Sequence, residues 1–117
     1  MTVTTDMLGV TENTKFILLD LRDEDDYEKA HIREAISFPA PNINRDKVFS
    51  QLLRFKNHPD KIIVVYMEEE RMGSHYSKVL FEKGFDNVYL LSGGMEKFLV
   101  EHREMVEGSN VPPLSAS

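Results

Sequence analysis

Apolar residues in this chain cluster in short unbroken runs. Phe16-Ile17-Leu18-Leu19, Ile62-Ile63-Val64-Val65-Tyr66 and Val88-Tyr89-Leu90-Leu91 are the clearest. Runs of this length and β-branched content predict strands covered on both faces, as in a parallel sheet. A weaker strand is predicted around Ala35-Ile36-Ser37-Phe38, ended by Pro39 and Pro41, which cannot donate to a ladder. Between the strands the period changes to that of a helix. Asp23 is placed to cap a short helix running through Tyr27 and Lys29, with acids in its first turn. Asn44 is read as the cap of a second helix, whose Val48, Phe49, Leu52 and Leu53 share one face. Tyr76, Val79, Leu80 and Lys83 mark a third helix, and Met95, Phe98, Leu99 and His102 a fourth. Gly84 suits a left-handed stop that folds Phe85 back on Leu80. Asn57 to Asp60 and Ser92-Gly93-Gly94 have turn chemistry.

Strands and helices therefore alternate, which predicts an α/β fold: a mainly parallel sheet of about four to five strands with helices on both faces. We expect a lead-in segment over residues 1–13, one domain over 14–108 and a flexible tail over 109–117, where the composition shifts to Ser and Pro. In such sheets the ligand crevice lies beyond the carboxyl ends of the strands. The segment after Tyr66 is thus the first place to look for chemistry.

Charge narrows the function. The 117 residues carry 14 basic and 20 acidic side chains, a net charge of −6. That disfavours nucleic acid and anionic membrane surfaces, both of which need a positive field. The chain has no cysteine, which removes disulfides, thiolate metal sites and cysteine nucleophiles together. His31, His58, His75 and His102 are scattered without metal-ligand spacing, and no metal or cofactor is expected. No apolar run is long enough to span a membrane and the first residues lack signal-peptide character, so a cytoplasmic setting is expected.

Four pieces, in order, resemble the rhodanese-like family. Leu19-Asp20-Leu21-Arg22 is similar to its D-x-R signature. His31-Ile32-x-x-Ala35-Ile36-x-Phe38-Pro39 is similar to its G-H-I-x-G-A-x-x-x-P stretch. Ile62 to Tyr66 sits where the family places the strand that leads to its active loop. Leu91-Ser92-Gly93-Gly94 is similar to its L-x-G-G closing motif. The departures are concentrated after Tyr66. The family's catalytic cysteine position holds Met67, and the loop reads Glu68-Glu69-Glu70-Arg71-Met72-Gly73 in place of small or basic residues. Within the family, this acidic loop and the run from Gly84 to Gly94 are similar to a centrosomal and ciliary subfamily linked to tubulin glutamylation. That resemblance implies a centrosome, basal-body, cilium or axoneme setting, with protein partners among ciliary or tubulin-modifying factors.

A thioether has no ionisable proton and forms no persulfide, so Met67 implies a pseudoenzyme. Three loop glutamates would also repel an anionic sulfur donor or phosphate. One of them can fold inward to fill the vacated anion cradle, or all can be solvated at a helix start. Met67 and Met72 are read either as a soft contact surface or as filler for vacated space. Asp20 and Arg22 are read as a structural pair bracing the first strand, with His31 hydrogen-bonded near them. The acidic tract Asp23, Glu24, Asp25, Asp26 and Glu28 is either a solvated helix face or a docking surface for a basic partner. Two rivals to a protein-interaction module remain open here. One is an enzyme using carboxylates among Asp20, Glu69 and Glu70. The other is a cation or small-ligand sensor built on Glu68, Glu69 and Glu70.

Overall fold

Side chains in the unbroken apolar runs point alternately to two different cores, and this organises the molecule. The computed structural model describes the backbone of Thr2–Val3 and residues 15–112. Strands β1 (Thr2–Val3), β2 (Lys15–Asp20), β4 (Ile36–Ser37), β5 (Lys61–Tyr66) and β6 (Val88–Leu91) form one sheet in the order β1-β6-β5-β2-β4, with every pair parallel. Ile17, Leu19, Ile63, Val65, Val88 and Leu90 face one layer of helices. That layer comprises α2 (Pro41–Asn44), α3 (Ser50–Phe55) and α4 (Glu70–Glu82), which bury Ile43, Leu52, Phe55 and Leu80. Leu18, Val64, Tyr66 and Leu91 face the opposite layer. There α5 (Gly94–Glu101) buries Met95 and Phe98, and α1 (Glu24–Lys29) contributes Tyr27. Central strands covered on both sides have no polar face, so their sequences read as continuous apolar runs.

Local signals hold where their physics is local. The Asp23 carboxylate caps α1 by accepting the Asp26 N–H at 2.9 Å. At the end of α4, Gly84 adopts φ +100°. Its N–H reaches the Phe81 carbonyl, and the Phe85 N–H reaches Leu80, the paired bonds of a Schellman stop.

The second helix differs from its expected form. Asn44 is the last residue of a separate short helix, α2, which Pro41 starts; α3 begins only at Ser50, after Phe49. Leu52 and Phe55 supply the buried face of α3, while Val48 and Leu53 are exposed. Pro41 has no N–H to lose at a first helical turn, so it starts a helix as readily as it ends a strand.

A second, two-stranded antiparallel ribbon joins β3 (His31–Ile32) to β7 (Val106–Glu107), which follows a 3₁₀ turn at Arg103–Met105. Beyond it the backbone is tied to α1. The Ser109 and Asn110 N–H groups donate to the Glu28 and Lys29 carbonyls at 2.8 and 3.0 Å. The Arg103 guanidinium donates to the Pro112 carbonyl at 2.7 Å. Residues 109–112, assigned by sequence to the tail, thus form a strap against α1. The remainder of that tail, and the lead-in segment apart from β1, lie outside the described residues.

Candidate functional site

The parallel register of β2 and β5 sets Asp20 opposite Tyr66, at the carboxyl edge of the sheet. Tyr66 is completely buried; its hydroxyl donates to Asp20 Oδ2 at 2.7 Å and accepts the Ile32 N–H at 3.2 Å. Arg22 turns back on the same carboxylate. Its Nε donates to Oδ1 at 3.1 Å, its Nη2 to Oδ2 at 2.8 Å, and its backbone N–H to Oδ1 at 2.9 Å. Nη2 also donates to the Ala30 carbonyl. Asp20 is 0% and Arg22 6% exposed, so these charges persist only because each is paired and hydrogen-bonded. Burial opposes the Arg22 charge, but the hydrogen bonds and charge of Asp20 outweigh it and hold the guanidinium pKa above its usual value. Burial, and then the Asp20 charge, push the Tyr66 phenol up.

Arg22 has one further donor, Nη1, which reaches Glu68 Oε2 at 3.1 Å. Glu68 belongs to the short link between β5 and α4. The acidic segment read from sequence as one loop, Met67 to Gly73, is divided: Met67, Glu68 and Glu69 connect, whereas Glu70, Arg71, Met72 and Gly73 form the start of α4. Each glutamate has its own fate. Glu68 pairs with Arg22. Glu70 Oε1 accepts the Gly93 N–H at 2.8 Å and the Ser92 hydroxyl at 3.2 Å. Glu69 is exposed. Met67 is half-buried and packs with the α2–α4 core, while Met72 is 45% exposed.

The link is pinned from below by α5. The Met95 and Glu96 N–H groups donate to the Met67 and Glu68 carbonyls at 2.9 and 3.0 Å. These are first-turn donors with no partner inside their own helix. Gly94 makes the approach possible: it sits at φ +62°, and a Cβ there would come within 2.8 Å of both carbonyl oxygens. The Gly93-Gly94 pair is therefore a docking turn.

The acidic tract lies across from this link. Asp23, Glu24, Asp25, Asp26 and Glu28 are all exposed on or beside α1. Tyr27, within the same run, turns inward and donates its hydroxyl to the Ala35 carbonyl at 2.6 Å. His31 does not bond Asp20 or Arg22, as the sequence suggested. It stacks on Tyr27 at 3.9 Å, places Nδ1 2.7 Å from the Tyr27 carbonyl, and has Nε2 3.6 Å from Glu107. A stacking partner four residues earlier on the chain captures the ring before the sheet edge can. Among the described residues, no group of His, Asp and Glu is arranged to hold a metal ion, and no helix is long and apolar enough to cross a membrane.

An open cleft of about 420 Å³ lies between α1 and the link. Asp26 and Glu68 both line it, so one acid from each segment reaches a common space. Two contributors escaped the sequence reading. Tyr66 was read only as a strand residue, although a buried phenol needs a partner and so signals a polar group nearby. The strap, which supplies Asn110 and Pro112 to the cleft, left no periodic signal at all.

Residues 5–101 match the rhodanese-like domain family. The chain is 38% identical over 97 residues to Centrosomal protein of 41 kDa from Mus musculus, covering 80% of this chain and 26% of that protein. The protein of that name from Danio rerio is 35% identical over 99 residues, covering 83% and 26%. The chain thus spans about a quarter of the length of these curated relatives. Its fold is similar to the solution structure of a rhodanese-like domain from Anabaena, with TM-score 0.74, 24% identity, and coverage of 99% and 86%. It is similar also to thiosulfate sulfurtransferase from Pseudomonas aeruginosa, with TM-score 0.66, 23% identity, and coverage of 83% and 18%.

Proposed function

The chain belongs to the rhodanese-like domain family, and from that premise we propose that it is a non-catalytic member serving as a protein-interaction module of a centrosomal protein. The observation that carries this reading is Met67. It follows the last residue of β5, in a chain without cysteine, and packs into the core beside the sheet. Sulfur transfer needs a thiolate to accept the sulfane sulfur, and a thioether cannot do so. Glu68 adds to the argument, because its carboxylate already sits on Arg22, where it would repel an anionic donor.

The centrosomal setting rests on the names of the relatives. The finer setting we propose is basal body, cilium and axoneme, with a part in tubulin glutamylation or ciliary transport. Partners would be ciliary or tubulin-modifying factors that meet the acidic face of α1. The geometry favours this module over its two rivals. Asp20 is enclosed by Arg22 and Tyr66, and Glu70 is spent on the turn before α5, so the carboxylates named for acid–base work are engaged elsewhere and do not converge on a substrate. Glu68 and Glu70 diverge to different partners, so these loop carboxylates do not converge on a cation.

Two measurements test the proposal. Thiosulfate:cyanide sulfurtransferase activity should equal that of a heat-killed control. It should stay near that level in Met67→Cys, because neighbouring negative charge raises the pKa of the new thiol. Turnover in the unaltered chain that survives repurification would end the pseudoenzyme reading. Affinity capture from ciliated cells should then recover centrosomal or ciliary proteins in a salt-sensitive manner; recovery of none would end the module reading.

A further inference from the structure

We propose that the exposed face of α3, with the segment that leads into it from α2, docks an acidic protein segment that also carries apolar side chains. The inference rests on the interaction-module reading and gives the module a second face, across the sheet from the acidic one. Its first support is a local reversal of charge. The chain as a whole carries −6, yet the stretch from Ala35 to Pro59 holds four basic side chains and a single acidic one, Asp46. Lys83 reaches over from the end of α4 and pairs with that acid at 2.9 Å. Lys56 lies over the Phe85 ring. Arg45, Lys47 and Arg54 are exposed, and among the described residues their side chains have no ion-pair or hydrogen-bond partner. Three uncompensated cations thus share a stretch whose one acid is already neutralised. The acidic tract of α1 lies in the opposite layer of helices. With a screening length of about 8 Å at physiological ionic strength, it reaches this face only weakly.

The second support is apolar. Val48 and Leu53 are exposed, Leu53 at 52%. Leu53 follows Phe49 by four residues and so shares its side of the helix. Phe49 is half-buried and meets Phe38 edge-on at 5.6 Å. The apolar side of α3 therefore continues from the core onto the surface, with cations on either side of it. Charges alone would be content in water, and a bare apolar patch would accept partners of any sign. The combination selects. The apolar side chains supply contact area, and the cations set the sign of what surrounds it. Two of the three cations are arginines, whose paired donors match a carboxylate in geometry as well as in charge.

An NMR titration of the whole chain decides the matter, with a synthetic peptide of Glu, Leu and Phe as probe. Its counterpart with Gln in place of Glu and a single-stranded oligonucleotide run in parallel. The acidic peptide should shift the amides of Arg45, Lys47, Val48, Leu53 and Arg54 saturably, and the Gln counterpart should bind more weakly. Combining Arg45→Gln, Lys47→Gln and Arg54→Gln should weaken acidic-peptide binding about tenfold, as for the loss of three exposed charge contacts. Leu53→Ser, which keeps every cation, should weaken it too. Replacing Glu24, Asp25 and Glu28 by their amides should leave it unchanged. Amide spectra of each variant verify the fold. Equal affinity for the Gln counterpart, preference for the oligonucleotide, or the absence of localised shifts on α3 overturns the proposal. Each of those results leaves the module reading standing, since affinity capture from ciliated cells decides that reading separately.

Discussion

Two charged regions adjoin at the end of β2, and they behave oppositely. At the sheet edge, Asp20 and Arg22 are buried, joined by several hydrogen bonds and completed by the Tyr66 hydroxyl. On α1, Asp23 to Asp26 and Glu28 carry more charge but are exposed. The first region holds its ions in a low-dielectric interior, where each depends on its partner. The second leaves its ions in water, where they add little to stability and remain free to meet another protein. Charge density alone does not mark the more consequential site; desolvation does.

Asp20→Ala should break this contrast most severely. It leaves the buried Arg22 guanidinium with only the half-exposed Glu68 as counter-ion and removes the acceptor of the Tyr66 hydroxyl. A loss of about 3–5 kcal/mol is expected from urea unfolding. A loss below 1 kcal/mol would mean that the network is not structural.

Tyr66→Phe should cost less, about 1–3 kcal/mol, because it leaves the Ile32 N–H and one Asp20 lone pair unsatisfied. It also has a pH signature. The phenol pKa is raised in the folded chain above its ordinary value of 10.0. Above that pH the unfolded chain releases the proton while the native chain keeps it, so the stabilising contribution is complete below pH 10 and falls as pH rises. The slope for this group is about 1.4 kcal/mol per pH unit. Unfolding midpoints between pH 9 and 11 should drop in the unaltered chain and drop less steeply in Tyr66→Phe. Tyr27, also raised by burial, should retain part of the slope.

Asp23→Ala tests the structural end of the acidic tract. Loss of its bond to the Asp26 N–H should cost about 1 kcal/mol, read as a lower unfolding midpoint.

The smallest effect on stability sharpens the comparison most. Replacing Glu24, Asp25 and Glu28 by their amides should change stability by under about 0.5 kcal/mol each. The same triple change should slow association with a captured partner and flatten its dependence on ionic strength, measured by surface plasmon resonance across a salt series. Unchanged association would move the interface away from α1. Charge reversal at Glu68 or Glu70 is a poorer probe, since these carboxylates also tie the link to Arg22 and to Gly93.

What the sequence determined by itself is whatever rests on interactions between near neighbours, or on burial that leaves a run of apolar residues. The parallel sheet was legible in Phe16 to Leu19 and Ile62 to Tyr66, the α1 cap in Asp23, and the α4 stop in Gly84 and Phe85. Met67 in a chain without cysteine was legible as well, because the absence of a thiol is a fact of composition. Tertiary structure alone decided the rest. Glu68 meets Arg22 across 46 positions and Tyr66 meets Asp20 across 46; Ser109 returns to Glu28 across 81. Such contacts leave no periodicity, since they depend on how the ends of different strands are brought level and on which carbonyls a returning strap finds open. The same three glutamates consequently became an ion-pair partner, an exposed side chain and a cap for the turn before α5, a division set by which groups the fold brings beside each carboxylate and not by residue type.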